Sequence, residues 1–367
     1  MQPDRSRRDL ARLPKAHLHL HFTGSLDVAT LRELAALADI PLPDTLVDTE
    51  ALSVPATTRG WHRFQRSYDT ARLVVASEEA MRRVVSAAVA NDAREGSRRL
   101  ELQIDPSSYA PHVGGIVEAL EIVMDEARRS GQQYGLSVGV VVAASRLRNP
   151  MQAETLARLA VRHAGDGPGE VVAFGLSNDE EAGVTEEWSH AFAIARRAGL
   201  ALVPHGGELA GPEHVRRIVD SLHPTRLGHG VRTTEDPALL EELVSRGIAF
   251  EVCPTSNVHL GVYESAGDVP LRMLVEAGAT VALGADDPLL FLARLTDQYE
   301  LARDVLGFTD PELADLARSS IRASLAGPTE KAEWLAEVDD WLAEPVSERG
   351  DGPVDGRLEP DGADQYR

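Results

Sequence analysis

Four short motifs of histidine and acidic residues each follow an apolar run in this sequence. Imidazole nitrogens and carboxylate oxygens are metal ligands, and a metal can lower the pKa of bound water until it becomes a nucleophile near neutral pH. Three histidines and one carboxylate from separate strand ends could surround one ion and leave other polar groups for proton transfer. The pattern therefore predicts metal-assisted hydrolysis. The motifs are His19-Leu20-His21, His205-Gly206-Gly207-Glu208, Gly228-His229-Gly230 and Asp286-Asp287-Pro288.

His19 and His21 are two residues apart in a run of alternating histidine and leucine. Residues i and i+2 of a strand face the same side, so we expect both imidazoles to point into one site. His205 and Asp286 complete a predicted set of three histidines and one aspartate, which suits Zn²⁺ with one position open for water. His17 shares the same face but lies two residues deeper, so we expect it to form hydrogen bonds in the core.

Two further polar groups are predicted to carry protons. Glu208 follows His205 after two glycines, which allow the backbone to approach a substrate closely. Its carboxyl group is therefore a candidate proton shuttle beside the metal. His229 ends a separate apolar run and could orient or deprotonate the attacking water. A lone histidine at such a position is more often structural, but the neighbouring motifs favour the catalytic interpretation.

Eight short runs rich in leucine and β-branched residues must position these motifs. Nearly continuous apolar runs are typical of parallel strands that are covered on both faces. Because helical patterns separate most of the runs, the sequence predicts an α/β fold, a closed (β/α)8 TIM barrel with its site at the carboxyl ends of the strands. An open doubly wound sheet is disfavoured, since no glycine-rich phosphate loop follows the first strand. The predicted strands are 16–23, 97–106, 136–145, 170–177, 200–207, 226–230, 249–257 and 280–287.

Segments outside the alternating pattern define the domain organisation. Residues 24–96 hold extra helices that could form a lid over the barrel mouth. Residues 12–343 are predicted to form one hydrolase domain, after a flexible arm at 1–11 and before a disordered acidic tail at 344–367, which is nearly free of apolar residues. Further helices after the eighth strand are predicted at 290–306, 310–325 and 329–343.

Composition and charge exclude several classes of protein. The chain has 367 residues, of which 43% are hydrophobic and 26% charged, and its net charge at pH 7 is −21. Such a charge repels phosphate backbones and anionic membrane surfaces, so we expect neither nucleic acid nor a membrane as a partner. The sequence contains no run of 18 apolar residues, so we expect no membrane span. The basic N-terminus lacks the apolar core of a secretory signal. With a single cysteine, Cys253, we expect a cytoplasmic location.

Taken together, the motifs resemble those of the adenosine deaminase family of the amidohydrolase superfamily. The histidine-rich segment of that family before Gly-Ser is matched by KAHLHLHFTGS at residues 15–25, and its His-Ala-Gly-Glu motif by HGGE at 205–208. Its Arg-(Ile/Leu)-Gly-His-Gly, Glu-Xaa-Cys-Pro-Xaa-Ser and Asp-Asp-Pro segments are matched at 226–230, 251–256 and 286–288. The similarity extends in the right order from about residue 13 to residue 343.

The resemblance implies a role for each of these residues. Glu208 would protonate N1 of a purine, His229 would assist the attack of activated water on C6, and Asp287 would hold N7. Ammonia would leave, and a 6-aminopurine would become its 6-oxo form, a reaction of purine metabolism. One Zn²⁺ would be bound by His19, His21, His205 and Asp286. The expected contacts to this small-molecule substrate are His21, Thr23, Asn178 and Asp287.

Three positions depart from the family pattern. His17 and Thr23 stand where the family has acidic residues, and Asn178 replaces the glycine of a Gly-Asp-Glu segment. In adenosine deaminases the carboxylate at the second position holds the ribose 5′ end, and Thr23 can offer a hydrogen bond there but no charge. The sequence therefore ranks adenosine, converted to inosine, first. It ranks 6-aminodeoxyfutalosine, an intermediate of a bacterial menaquinone route, second and adenine third.

Two other functions compete with deamination. A non-catalytic nucleoside-binding protein predicts the loss of at least one ligand or proton carrier, and every one is present. An amidohydrolase that cleaves a ring amide or ester is disfavoured by the position of Glu208 three residues after His205 and by the paired Asp286 and Asp287.

Overall fold

Eight parallel strands form the centre of the molecule. The computed structural model describes residues 7–47 and 50–345. Within them the strands are Lys15–His21 (β1), Ser97–Ile104 (β2), Ser137–Ser145 (β3), Val171–Ser177 (β4), Ala201–Gly206 (β5), Arg226–His229 (β6), Ala249–Val252 (β7) and Val281–Leu283 (β8). Each strand pairs with the next in sequence order.

Backbone hydrogen bonds just beyond β8 bring the end of the sheet back to β1. The His21 amide donates to the Asp286 carbonyl at 3.1 Å, and the Asp286 amide donates to the His19 carbonyl at 3.1 Å. The predicted (β/α)8 barrel is therefore confirmed. Its strands are buried along nearly their whole length, as in Ser137–Ser145, because helices cover the outer face and side chains fill the interior.

Helices follow the strands and surround the barrel. Proline occupies the first turn of many of them, where its missing N–H costs no hydrogen bond. No helix in the described part of the chain is long and apolar enough to cross a membrane. The helices are Val28–Ala38 (α1), Asp44–Val47 (α2), Thr58–Arg72 (α3), Glu78–Arg94 (α4), Ala110–Val113 (α5), Ile116–Tyr134 (α6), Pro150–Arg162 (α7), Ser189–Arg197 (α8), Pro212–Leu222 (α9), Pro237–Ser245 (α10), Pro254–His259 (α11), Leu271–Glu276 (α12), Pro288–Phe291 (α13), Leu295–Asp304 (α14), Asp310–Ala323 (α15) and Pro328–Ala343 (α16).

Three predicted elements were wrong in extent. The strand predicted at 280–287 ends at Leu283, and Asp286 has a left-handed conformation with φ of 61°. The strand predicted at 249–257 ends at Val252, because Pro254 begins α11. The single helix predicted at 290–306 is two helices, since Leu292 adopts a left-handed conformation with φ of 51° that ends α13. None of these differences changes the order of strands and helices on which the barrel prediction was based.

The two ends of the predicted domain contact each other. Arg8 donates through Nη2 to the Leu342 carbonyl at 2.7 Å, and Leu10 is only 2% exposed. These contacts attach residues 7–11 of the predicted arm to α16. The rest of that arm, and residues 346–367 of the predicted tail, lie outside the described residues.

Candidate active site

The predicted metal ligands meet at the carboxyl ends of the strands. His19 and His21 lie in the last three residues of β1, His205 near the end of β5, and Asp286 just after β8. His229, the last residue of β6, lies beside them. Asp286 and His229 have φ of 61° and 62°, a region that residues other than glycine seldom adopt and that is typical of functional sites.

The donor atoms of these side chains are close enough to share one ion. His21 Nε2 lies 3.2 Å from His205 Nε2 and 3.1 Å from Asp286 Oδ1. His19 Nε2 lies 3.4 Å from Asp286 Oδ1. Donors of His19, His205, His229 and Asp286 all lie within 4.8 Å of one another, as do those of His21, Asp286 and Asp287. Geometry alone therefore leaves His21 and His229 as alternative ligands.

Polar groups deeper in the protein orient the histidine rings. In His19, His21 and His205 the Nδ1 atom has a partner, so that Nε2 faces the centre of the site, as second-shell partners do in metal sites. The partners are the Glu251 carboxylate at 2.8 Å, the Gln103 side-chain amide at 3.2 Å and the Leu176 carbonyl at 3.1 Å, in that order.

Asp286 is oriented by Ser256, whose hydroxyl donates to Oδ2 at 2.6 Å. Asn257, the next residue, lies 3.4 Å from His229 Nδ1. The sequence analysis gave none of these orienting residues a role. Glu251 and Ser256 did lie in the matched 251–256 segment, so that motif carried a usable signal, whereas nothing in the sequence distinguished Gln103.

Carboxylates make the centre of the site favourable for positive charge. Burial would lower the pKa of His19, but the nearby carboxylates of Asp286 and Glu251 outweigh it and raise that pKa to about 10. Burial would raise the pKa of Asp286, but the nearby imidazoles of His19 and His21 hold it well below its usual range. Burial lowers the pKa of His205, and the neighbouring histidines add to this effect. The site thus combines an ionised carboxylate with a neutral imidazole.

The pKa values of the two predicted proton carriers are shifted in opposite directions. Burial raises the pKa of the Glu208 carboxyl well above its ordinary value, and the charges of Asp286 and Glu180 add to the shift. Burial lowers the pKa of His229 to about 3. Glu208 Oε1 lies 3.5 Å from His229 Nε2. A proton donor and a neutral base therefore lie side by side.

His17 makes the core hydrogen bonds that were expected of it. Its Nδ1 lies 2.9 Å from Asp92 Oδ2, and the Ala285 amide donates to its Nε2 at 3.0 Å. The side chain is buried and links β1 to the segment that carries Asp286. It therefore supports the site from below.

A buried chain of charges extends from the barrel interior to His19. Arg226 on β6 donates to Glu101 on β2 at 2.6 Å and to Glu251 on β7 at 2.6 Å. The second oxygen of Glu251 meets His19 Nδ1. All of these side chains are buried, and Arg226 neutralises both carboxylates, while Arg99 gives Glu101 a second cation at 3.2 Å.

Replacing Arg226 with Leu should lower the free energy of unfolding by about 3–5 kcal/mol, because buried Glu251 would lose its arginine and buried Glu101 would keep only Arg99. Urea unfolding measures the change. Arg216→Leu is the matched control, since Arg216 also pairs with two carboxylates, Asp236 and Glu242, but at the surface. We expect the control to cost less than about 1 kcal/mol. An equal decrease in the free energy of unfolding of the two variants would contradict the larger cost that we assign to the buried ion pairs.

A cavity of about 240 Å³ opens from the site towards solvent. One face of α3, in the segment predicted to form a lid, lines it through Trp61, Phe64, Tyr68 and Arg72, and polar groups from other loops line the opposite side. The predicted substrate contacts His21, Asn178 and Asp287 lie in its wall, together with Glu208 and His229. The cavity thus reaches the predicted catalytic groups.

Thr23 and Asn178, the two departures at predicted substrate contacts, are placed differently. Thr23 is fully buried, its hydroxyl lies 2.6 Å from the Tyr109 hydroxyl, and it does not line the cavity. Asn178 lines the cavity with φ of 79°, a left-handed conformation that asparagine tolerates better than most residues. Asn178 therefore keeps a backbone conformation typical of the glycine that it replaces in the family pattern.

Gly24 leaves room for Asp287. A Cβ atom at Gly24 would lie 1.7 Å from Asp287 Oδ1 and 2.9 Å from its Cα, so Gly24→Ala must displace this carboxyl group. We expect kcat/KM to fall by about 10²-fold, as displacements near 1 Å can cause. Gly267→Ala is the control, because its Cβ would lie 3.6 Å from the nearest atom, Ser265 Oγ. Steady-state kinetics of both variants tests this, and equal rates would contradict it.

Comparison with known proteins agrees with the site. Residues 14–341 match the model of the family described as adenosine deaminase. An Agrobacterium fabrum adenine deaminase is 31% identical over 89% of this chain and 98% of its own. A Streptomyces virginiae protein, whose name assigns it provisionally to the adenosine/adenine deaminases, is 54% identical over 91% of this chain and 98% of its own.

Among solved structures, adenine deaminase from Arthrobacter aurescens has the same fold. The TM-score is 0.80 and the identity 28%, over 90% of this chain and 99% of that one. The barrel, the strand-end motifs and the family match are consistent with each other. The chain therefore belongs to the adenosine deaminase family and is a metal-dependent aminohydrolase of the amidohydrolase superfamily.

Proposed function

We propose that this protein replaces the 6-amino group of a purine by oxygen with the help of one zinc ion, and releases ammonia. The observation that carries the proposal is the meeting of histidine and aspartate side chains from several strand ends beside the buried carboxyl group of Glu208, whose pKa is raised by burial. Hydrolysis of an aminopurine needs a polarised water and a proton for the ring, and this arrangement offers both.

The donor set fits zinc. Ligands at the usual zinc–nitrogen distance and in tetrahedral positions are roughly 3.3 Å apart. The three contacts among His19, His21, His205 and Asp286 that define the site are 3.1, 3.2 and 3.4 Å. His19 Nε2 is buried and has no hydrogen-bond partner, as expected of a ligand atom. When bound, zinc would supply a Lewis acid and lower the pKa of a water molecule.

We assign His21 rather than His229 to the zinc ion. His21 Nε2 contacts both His205 and Asp286, whereas the acidic partner of His229 Nε2 is Glu208 at 3.5 Å. This leaves His229, held neutral by burial, to accept a proton from the attacking water.

Two carboxyl groups whose pKa values are raised by burial are placed to hold the purine. Glu208 would donate its proton to ring N1 as the amino group is replaced. Burial and the neighbouring Asp286 raise the pKa of Asp287, and its Oδ1 is buried without a partner. A protonated Asp287 would therefore donate a hydrogen bond to N7.

Adenine is the substrate that the geometry supports best. The Thr23 hydroxyl is engaged by Tyr109 and buried, so the position where the family pattern has a ribose-binding carboxylate offers no free group to a 5′-hydroxyl. The relatives from Agrobacterium fabrum and Arthrobacter aurescens are named adenine deaminases, which supports the same choice. Adenosine, ranked first from the sequence, becomes the second candidate.

One observation favours nucleosides as that second candidate. The outer cavity is lined by Asp69, Arg72, Asp105, Ser108 and Arg148, which could bind a sugar or a group attached to it. Adenosine and 6-aminodeoxyfutalosine both extend a 6-aminopurine in this way.

Ultraviolet-monitored deamination by the zinc-loaded protein tests the proposal. The compounds are adenine, adenosine, 5′-deoxyadenosine and 6-aminodeoxyfutalosine. We expect the highest kcat/KM with adenine and similar values for adenosine and its 5′-deoxy analogue. A strong preference for adenosine over 5′-deoxyadenosine would show that the 5′-hydroxyl is read, and would restore adenosine as first choice. Faster turnover of 6-aminodeoxyfutalosine would place that compound first, and no turnover of any compound would overturn deamination.

A further inference from the structure

One buried carboxylate holds the loop that carries Glu208. Glu180, just beyond the end of β4, is 2% exposed and accepts hydrogen bonds from four consecutive backbone amides. Oε1 accepts from Gly207, and Oε2 accepts from Glu208 at 3.1 Å, Leu209 at 2.6 Å and Ala210 at 2.9 Å. Successive amides that converge on one anion form a concave anion-binding turn, which here encloses a side chain of the protein itself.

The loop makes this enclosure possible through Gly207. Its φ of 75° lies in the left-handed region, which turns the next amides towards Glu180. A Cβ at this position would also lie 2.8 Å from Val215 Cγ2. Glycine at this position therefore allows the amides to point towards Glu180 and allows the loop to pack closely on α9.

Arg146 supports the same loop from β3. Its side chain is buried, stacks over Trp188 and donates to the His205 carbonyl at 3.3 Å. Burial raises the pKa of Glu180, and the loop amides and the charge of Arg146 oppose that rise. Arg146, just after β3, thus holds the end of β5, and Glu180, just after β4, holds the loop that follows β5.

The side chain of Glu208 has no comparable support of its own. Its Oε1 is buried and has no hydrogen-bond partner, and the nearest basic group, His229 Nε2, is 3.5 Å away. The place of the carboxyl group is therefore determined mainly by the backbone of residue 208, and the amide of that residue is one of the four that Glu180 binds.

We propose that Glu180 is a positioning residue for catalysis, which fixes the proton-donating carboxyl group of Glu208 by holding the amides of residues 207–210. The inference rests on the proposed role of Glu208 in deamination. A carboxylate is required, because a glutamine has one acceptor oxygen and would turn an NH₂ group towards amide donors. Glu180 does not itself touch the substrate, since it does not line the cavity.

Kinetics of Glu180→Gln, Glu208→Gln and the double variant test the proposal, with the compound that the wild type deaminates best. We expect Glu180→Gln to lower kcat by about 10²-fold, as small displacements of a catalytic group do, with little change in KM or zinc content. In the Glu208→Gln background the same change should have almost no further effect, because both act through one proton donor. Glu181→Gln, an exposed neighbour, should leave kcat unchanged.

An equal fold-change in both backgrounds, a loss of zinc in Glu180→Gln or a normal kcat would each overturn the proposal. Amide hydrogen exchange gives a second test, which uses the wild-type protein alone and needs no substrate. The amides of residues 207–210 should exchange as slowly as those of the barrel strands, and exchange at the rate of an open loop would overturn the proposal. If no compound is deaminated, the proposed function fails while the exchange result still decides whether the loop is held.

Discussion

Replacing Glu208 with Gln should lower kcat by about 10²–10⁴-fold and leave the zinc content unchanged. Glutamine preserves the shape of the side chain, and Glu208 is not one of the proposed ligands. The amide of the glutamine, however, cannot deliver an acidic proton to the purine ring. Burial raises the pKa of Glu208 and the charges of Asp286 and Glu180 add to the shift, so the variant removes a group that keeps its proton to higher pH than an ordinary glutamic acid. Steady-state kinetics and elemental analysis measure the two effects.

The pH profile gives this prediction a second readout. Burial raises the pKa of Glu208, so its active protonated form persists to higher pH than that of an ordinary glutamic acid and is lost as the pH rises through the raised pKa. Wild-type kcat should therefore decline on the alkaline side, and the residual activity of Glu208→Gln should not share that decline. Glu181→Gln should keep both the rate and the profile of the wild type. Near-normal turnover by Glu208→Gln would contradict the assignment of Glu208 as proton donor.

The barrel could be predicted from the sequence because its signal is local. Each apolar run lies within a few residues of an observed strand, since parallel strands covered on both faces must be apolar along most of their length. The main errors came at a proline and near left-handed residues, and the eighth strand is four residues shorter at its end than predicted. Pro254 turns a predicted strand into helix, and Leu292 divides a predicted helix, although the apolar pattern continues through both.

The predicted ligands could also be found from their positions, because parallel strands in a barrel end on the same side. His19, His205 and Asp286 come from β1, β5 and the segment after β8, and that topology alone brings them together. Spacing does not show which side chains orient them. Gln103, on β2, contacts His21 only because of the register between β1 and β2.

The substrate end of the site was least accessible to sequence analysis. Thr23 was identified as a departure from the family pattern, but its hydrogen bond to Tyr109 joins two segments 86 residues apart in the sequence. The part that α3 plays in the cavity depends likewise on how the 24–96 insertion packs over the barrel. Such contacts follow from tertiary structure and not from the periodicity of either segment.

Replacing His19 with Ala should abolish activity by removing zinc. The Nε2 atom of His19 is buried and has no hydrogen-bond partner, and the Glu251 carboxylate fixes the other ring nitrogen. The substitution therefore removes a ligand whose ring is already oriented towards the ion. His21 and His205 cannot take its place, because they already direct their own Nε2 atoms to the centre, and we assign His229 to proton transfer. After dialysis against a weak chelator, the variant should hold almost no zinc, whereas the wild type should hold one ion per chain.

The matched control for this variant is His190→Ala, since His190 is 59% exposed and pairs with Glu154 at the surface. It should keep zinc and full activity. A thermal shift separates loss of metal from loss of fold, because a ligand that binds only the folded state raises its stability. Added zinc should raise the Tm of the metal-free wild type and of His190→Ala, but not that of His19→Ala. A His19→Ala protein that still binds zinc with wild-type affinity would overturn the proposed ligand set and favour His229 as the third imidazole.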